Sequence, residues 1–405
     1  MRIPKTGFIL FFTAINIFQI FSTNFEFKYS NGDDYRIVTE VFEYVKENDK
    51  LIITTEILNR IAVSIHDVDE NSGEIQAVYQ ISEKGVGGYH WDSEEAATFR
   101  RNNKGVYSLI DDDESLPSVR NIPQFPDENL NPGDSWNFFA EEIHDLFPFF
   151  SIDYRLHIPF RVFYTYEDQI DKDGKILDKI LINYNILYEN EVLQVAHEHP
   201  DWGNFFPEKI TGSFNQVFLW DNEAGRPYSV EDQFEYKYYL STGATYTFSG
   251  VSYGKVIIAE DMDREEIAKD INQKLEDEGI DNIKASPEED GVKITIENIN
   301  FLPDSSILED IEIAKLKYIS EILLKFTGRD ILIGGHTARF GTEESCQILS
   351  EERAASVASF FLENKIRNES EIVTRGFGSL KPVGDNTTVE GQEKNRRVEI
   401  TILEN

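Results

Sequence analysis

The chain has 405 residues, of which 40% are hydrophobic and 13% aromatic, so it is long and apolar enough for two or three packed domains. Its formal net charge of −35 argues against nucleic acid and anionic membrane surfaces as partners, because both would repel it. The single cysteine, Cys346, excludes an intramolecular disulfide and every cysteine-based metal cluster.

The first segment has the pattern of an export signal. Arg2 and Lys5 precede an uncharged apolar run at 8–21, and two small residues follow the run. This pattern predicts a secretory signal peptide over residues 1–23, and with it a periplasmic or outer-membrane-associated protein of the cell envelope. The run is shorter than the roughly 20 residues of a membrane-spanning helix. An N-terminal anchor that stays uncleaved is the alternative.

Residues 24–257 have the pattern of antiparallel strands. Apolar and polar residues alternate, and polar turns such as ENDK at 47–50 and DKDG at 171–174 separate the alternating runs. The predicted strands are 36–46, 51–66, 74–82, 154–167, 175–189, 212–220, 233–241 and 245–258. We predict a β-rich domain over 24–257, either undivided or made of two lobes at 24–150 and 151–257.

Between the two groups of strands, residues 83–150 lack a clear strand pattern. We predict loops here, with one short helix around 93–100 in the run HWDSEEAATFRR. Farther on, His197 and His199 lie two residues apart, and we interpret them as part of a solvated turn rather than as metal ligands. The sequence contains no HExxH or P-loop motif, and we predict no enzyme, no cofactor and no metal site.

Charged residues interrupt the predicted strands. Glu40 and Glu43 are three apart in one strand and would therefore point to opposite faces of the sheet. A membrane β-barrel needs an uninterrupted apolar outward face. We therefore predict a soluble sheet-rich domain, with an outer-membrane β-barrel or a small-ligand-binding β domain as the alternatives.

The pattern changes near residue 259, where helical spacing begins. Ile267, Ile271 and Leu275 recur at this spacing, and residues 292–296 then alternate as a strand. Further helices are predicted at 311–326 and 349–364, and further strands at 331–335, 372–376 and 396–403. The predicted fold class is thus α+β: an antiparallel β-rich domain followed, over 258–405, by an autonomous α/β sandwich with helices packed on one mixed sheet.

Several motifs in this last domain occur in a fixed order. GHTA at 335–338 follows the strand predicted at 331–335, and CxxLSxxRAxxVxxxF at 346–361 comes next. RGFG at 375–378 and DNTTVEGQEKNRRVEI at 385–400 complete the series. The series resembles the peptidoglycan-binding domain at the C-terminus of OmpA-like proteins and in flagellar stator proteins, whose motifs include GHTD and NxxLSxxRAxxVxxxL. The resemblance implies a non-catalytic module that associates with peptidoglycan.

In that family, the aspartate of GHTD and the arginine of LSxxRA hold the diaminopimelate of the stem peptide. The resemblance therefore implies that Arg353 and Thr337 bind ligand, while Ala338 stands at the aspartate position and Cys346 at the asparagine position. Arg397 either reaches the rim of the ligand or braces the last strand. We expect the loop at 336–350 to face the ligand.

The missing aspartate changes the expected ligand. The domain would bind a stem peptide with a residue other than diaminopimelate, ornithine for example, or it would bind another carboxylate or an envelope protein. The whole chain would then tether its β-rich domain to the cell wall. The alternative is a β-rich domain with its own activity and a tether that has lost wall binding.

Overall fold

The computed structural model describes residues 22–109, 116–189, 206–258, 262–288, 290–297, 299 and 308–404. Strands make up most of this part of the chain, and the helices longer than one turn lie after residue 262. No helix in the described ranges is long and apolar enough to cross a membrane. The signal peptide predicted at 1–23, except its last two residues, lies outside these ranges, as do His197 and His199.

The first part of the chain forms one antiparallel sheet. Its neighbouring strands pair in the order β5-β4-β3-β2-β1-β12-β11-β10-β9-β8-β7-β6. Its elements are β1 (Asp34–Glu47), β2 (Lys50–His66), β3 (Ser72–Gly85), β4 (Gly88–Asn102), β5 (Tyr107–Leu109), β6 (Val119–Arg120), β7 (Ser135–Asp145), α1 (Phe147–Phe150), β8 (Arg155–Lys172), β9 (Lys175–Glu189), β10 (Pro207–Asp221), β11 (Arg226–Leu240) and β12 (Thr245–Ile257). Because β1 pairs with β12, both predicted groups of strands belong to this sheet. A division into lobes at residue 150 remains a prediction.

The short helix predicted at 93–100 is wrong. These residues lie in β4, which pairs with β3 along its whole length. Ala97 and Phe99, two residues apart, are both buried, as expected for one face of a strand. Glutamate and alanine favour helices locally, but pairing and burial against the neighbouring strand outweigh that weak preference.

The core of the first part lies on one face of the central strands. In β8, buried and exposed residues alternate strictly from Arg155 to Tyr164. The buried face of β8 packs with Phe25, Phe125 and Trp220 in one apolar cluster. A shift of one residue in register would carry every buried side chain of β8 to the exposed face, so this alternation fixes the register of the strand.

The last part of the chain forms a mixed sheet in the order β13-β14-β17-β15-β16, with helices packed against it. Its elements are α2 (Arg264–Asp277), β13 (Ile283–Glu288), β14 (Gly291–Glu297), α3 (Asp310–Leu323), β15 (Ile331–Gly335), α4 (Glu343–Glu363), β16 (Ile372–Gly376), α5 (Val389–Asn395) and β17 (Arg397–Leu403). Leu316, Val357 and Phe361 from the helices pack with Ile333 and Ile400 from the strands, and all five side chains are fully buried. The predicted strands and helices are therefore present here.

Helix α4 begins six residues before the predicted start at 349. The hydroxyl of Thr342 accepts a hydrogen bond from the amide of Ser345 at 3.1 Å, and Glu343 and Glu344 occupy the first turn. A threonine cap followed by acidic residues is a strong helix start. The threonine hydroxyl accepts a hydrogen bond from a free amide of the first turn, and the acidic side chains are attracted to the positive N-terminal end of the helix. The loop expected at 336–350 is therefore limited to 336–342.

The two parts of the chain meet along a contact that we call the seam: Arg36, Arg60 and residues 84–91 on one side, and Asp330, Ala355 and residues 369–375 on the other. Strand β4 pairs in parallel with β16 at two positions, of which one joins His90 to Thr374. The Nδ1 atom of His90 lies 2.6 Å from the hydroxyl of Thr374. A strand of the first part thus covers the edge of the last sheet, where unpaired backbone groups would otherwise be exposed.

Buried charges lie at the centre of the seam. The Asp330 carboxylate accepts a hydrogen bond from Arg60 Nε at 2.9 Å and lies 3.6 Å from Arg36 Nη1. Arg60 also donates through Nη2 to the carbonyl of Ser370 at 2.6 Å. Arg36, Arg60 and Asp330 are 6%, 1% and 6% exposed. Buried charges are tolerated only when they are paired, so these contacts favour one alignment of the two parts.

We expect Gly87→Val to weaken the seam. Gly87 has a φ of +83°, and a Cβ atom there would lie 2.4 Å from the carbonyl oxygen of Ala355. The loss of unfolding free energy should exceed the roughly 1 to 2 kcal/mol that a side chain costs in a left-handed conformation. Gly174→Val is the matched control, because Gly174 has the same φ and no heavy atom within 4 Å. Equal losses of both variants in urea unfolding would contradict a tight contact at Ala355.

Candidate functional site

The loop at 336–342 connects the end of β15 to the start of α4. The Thr337 amide donates to the Gly378 carbonyl at 2.9 Å, and the Gly378 amide donates to Ser350 Oγ at 2.9 Å. The GHTA loop, the RGFG turn and helix α4 are therefore hydrogen-bonded to one another. The structure brings together three of the motifs that the sequence analysis identified separately.

A buried network of charged and aromatic side chains supports the start of this loop. His336 stacks on Phe377 with ring centroids 4.8 Å apart, and its Nε2 atom lies 3.4 Å from Glu399. Arg397 Nε donates to the other oxygen of Glu399 at 2.8 Å. Burial raises the pKa of Glu399, but its contacts with His336 and Arg397 outweigh burial and lower this pKa to about 2. Burial also lowers the pKa of His336, so its imidazole is neutral at pH 7.

Arg397 lies mainly inside the protein. Its side chain is 4% exposed, and its Nε atom is bound to Glu399 on the same strand. One further nitrogen, Nη1, is buried and has no hydrogen-bond partner among the described residues. Arg397 is therefore bonded within β17. Both interpretations of the sequence, a brace for the last strand and a contact with ligand, remain predictions.

Thr337, Ala338 and Cys346 lie close together at the tip of the site. Thr337 and Ala338 are 6% and 8% exposed, and Cys346 is 3% exposed. The thiol of Cys346 donates to the carbonyl of Phe340 at 3.2 Å and lies 3.7 Å from that of Ala338. The cysteine at the family's asparagine position thus holds the loop to the helix.

Arg353 lies half-buried on α4, seven residues after Cys346. Seven residues are almost two helical turns, so both residues lie on nearly the same side of the helix, about 10 Å apart along its axis. Long side chains in a helix point back toward its N-terminus, which directs Arg353 toward the loop at 336–342. Helical spacing thus puts Arg353 on nearly the same side of α4 as Cys346, and its contact with a ligand remains a prediction.

Asn395, which lies within the motif at 385–400, organises a second loop beside the first. Its Oδ1 atom accepts hydrogen bonds from the amides of Val383 and Gly384, both at 2.8 Å, and its Nδ2 atom donates to Asn386 Oδ1 at 3.0 Å. The same Asn386 oxygen accepts the Arg339 amide at 3.0 Å. Asn395 thus links the turn at 383–386 to the GHTA loop. The DNTT run at 385–388 belongs to the motif at 385–400, but its sequence alone does not indicate that Asn386 contacts Asn395 and Arg339.

Within the described ranges, no group of three or more histidine, cysteine, aspartate or glutamate side chains is arranged to hold a metal ion. The polar groups of the site include the guanidinium groups of Arg353 and Arg397, the hydroxyl of Thr337 and the imidazole of His336. Such groups bind carboxylates and peptide groups through hydrogen bonds.

Comparisons with known proteins identify one matching family and several similar proteins. The model of the OmpA family matches residues 300–396. Motility protein B of Bacillus subtilis is 29% identical over 153 residues, which cover 36% of this chain and 58% of that protein. Peptidoglycan-binding protein ArfA of Mycobacterium bovis is 39% identical over 72 residues, which cover 18% of this chain and 22% of that protein.

A solved outer membrane protein from Borrelia burgdorferi B31 is 34% identical to this chain. The match covers 30% of this chain and 97% of that one, with a TM-score of 0.26. The chain spans less than two thirds of the length of both curated relatives named above.

Proposed function

We propose that this chain, whose residues 300–396 form an OmpA family domain, is an exported cell-envelope protein that associates with peptidoglycan without catalysing a reaction on it. Residues 258–405 would make this association and would tether the β-rich domain at 24–257 in the periplasm or at the outer membrane. A relative that is 39% identical over 72 residues is named as a peptidoglycan-binding protein. Export rests on the signal pattern at 1–23.

Buried polar atoms around the loop at 336–342 carry this proposal. In the described part of the chain, Thr337 Oγ1, His336 Nδ1 and Arg397 Nη1 are buried without a hydrogen-bond partner. His336 and Thr337 are neighbours, and the amide of His336 donates to the carbonyl of Arg397, so these three residues lie together. A buried polar group without a partner costs about 1 to 3 kcal/mol. A bound peptide would supply the missing partners once the exposed loop residues at 339–342 move aside.

The charges at the site suggest which peptide would bind. The Arg353 guanidinium can hold a carboxylate through two hydrogen bonds. Ala338 cannot receive the ammonium group that the family's aspartate receives. We therefore propose a stem peptide whose third residue differs from diaminopimelate. Ornithine is one example, although it lacks the extra carboxylate, so Arg353 would then hold a terminal carboxylate of the peptide.

Binding of the mature full-length chain to purified peptidoglycan tests this proposal. Arg353→Ala should weaken co-sedimentation with the wall roughly tenfold to a hundredfold, because a hydrogen bond to a charged group contributes about 1.5 to 3 kcal/mol. Arg155→Ala, which removes an exposed arginine of β8, is the control and should bind as the unmodified chain does. Equal binding of all three proteins would refute the role of Arg353. A lack of binding to any wall by the unmodified chain would favour a tether that has lost this function.

A further inference from the structure

The centre of the seam contains more positive than negative charge. Two guanidinium groups, of Arg36 and Arg60, contact one oxygen of one carboxylate, Asp330 Oδ2. A second carboxylate, Asp290, acts on Arg36 only through its electrostatic field. Burial lowers the pKa of Arg36, but an arginine remains charged at every physiological pH. The contacts therefore leave one positive charge without a directly bound anion.

Several nitrogen atoms of this pair also lack hydrogen-bond partners. Among the described residues, Arg36 Nε, Arg36 Nη1 and Arg60 Nη1 are buried and donate no hydrogen bond. Both side chains are more than nine-tenths buried. Buried donors that bind nothing are rare in folded proteins, because each loses its hydrogen bonds to water.

The strand register brings these donors close together. In the pairing of β1 with β2, Val38 lies opposite Arg60. Arg36 is two residues from Val38 and therefore on the same face of the sheet. Both guanidinium groups also reach the same Asp330 oxygen, at 3.6 Å and 2.9 Å. The two guanidinium groups therefore lie next to each other, against one carboxylate oxygen.

We propose that the seam binds a small inorganic anion between Arg36 and Arg60, with chloride as the ion of suitable size and charge. The anion is a third hydrogen-bond acceptor for the two arginines, beside the Asp330 carboxylate and the Ser370 carbonyl. It is small because both arginines are already enclosed by protein, which leaves little room for a polyatomic anion. Chloride binding stabilises the docked arrangement of the two parts, because the site contains residues of both.

Thermal unfolding of the full chain tests the proposal, with sodium chloride compared with sodium gluconate at equal ionic strength so that general screening is the same in both. The unfolding midpoint should rise with chloride concentration and should level off as the site fills. Arg36→Met should abolish this saturable rise. Arg161→Met, which removes an arginine from the exposed face of β8, should leave it unchanged. A midpoint that depends on ionic strength alone would overturn the proposal.

A crystal of the unmodified chain grown in sodium bromide gives a direct measurement. The anomalous signal of bromide should place one ion in contact with both Arg36 and Arg60. A map without a peak there would overturn the proposal even if chloride raised the unfolding midpoint. This crystal also decides the question if Arg36→Met fails to fold.

Discussion

Asp330→Ala should lower the free energy of unfolding of the full chain by about 3 to 5 kcal/mol, as expected when one partner of a buried ion pair is removed. The substitution leaves Arg36 and Arg60 buried without the carboxylate that both contact. Water cannot readily take the place of that carboxylate, because both arginines are at most 6% exposed. Urea unfolding followed by circular dichroism measures the change.

Glu189→Ala is the matched control for this measurement. Glu189 forms an ion pair with Lys209 on the surface, where the two side chains are 43% and 36% exposed. A solvent-exposed pair of this kind contributes at most about 1 kcal/mol. If Asp330→Ala cost no more than Glu189→Ala, the seam would contribute no more than an ordinary surface contact.

The seam also bears on the prediction that residues 258–405 fold autonomously. In an isolated domain, Asp330 would be hydrated, and the two arginines would be absent, so no buried charge would be left unpaired. The edge of β16 and the surface around Ala355 would be exposed instead. Autonomy therefore remains a prediction. In the full chain, these contacts hold the two parts in one arrangement.

Sequence patterns located most strands because the hairpins of the first part are local. The turn at 171–174 and the alternating residues on both sides predict β8 and β9 without knowledge of any distant residue. The seam is different, because Arg60 and Asp330 are 270 positions apart. An arginine within a strand looks like a solvent-facing residue until its distant partner is known. Nothing local in the sequence distinguishes Arg60 from the exposed Arg155.

The candidate site could be proposed from the sequence because its motifs are contiguous, whereas the contacts inside it could not be predicted. The position of Arg353 on α4 follows from helical spacing alone. The contact of His336 with Glu399 joins β15 to β17, and Asn395 reaches residues about ten positions earlier in the chain. Such side-chain contacts depend on how separate strands pack, so periodicity does not predict them.

Ala338→Asp should strengthen binding of the chain to a diaminopimelate-containing wall roughly tenfold to a hundredfold. The physical reason is the charge pattern of the ligand: diaminopimelate presents a carboxylate and an ammonium group, and this site retains a guanidinium for the first but no carboxylate for the second. An ionic hydrogen bond to the ammonium group would contribute about 1.5 to 3 kcal/mol, at about 1.4 kcal/mol for each tenfold change in affinity. Co-sedimentation of the full chain with a diaminopimelate wall measures the gain.

Phe340→Asp separates a local charge effect from the specific contact. It adds the same charge to the same loop, but at a side chain that is 88% exposed rather than at Ala338, which is 8% exposed. Its wall affinity should stay at that of the unmodified chain, while Ala338→Asp gains. Because an aspartate at a buried position also costs stability, both variants are compared at temperatures where circular dichroism shows them folded. If the unmodified chain bound the diaminopimelate wall as tightly as Ala338→Asp, recognition of the ammonium group would not depend on residue 338, and the proposed difference in ligand would be wrong.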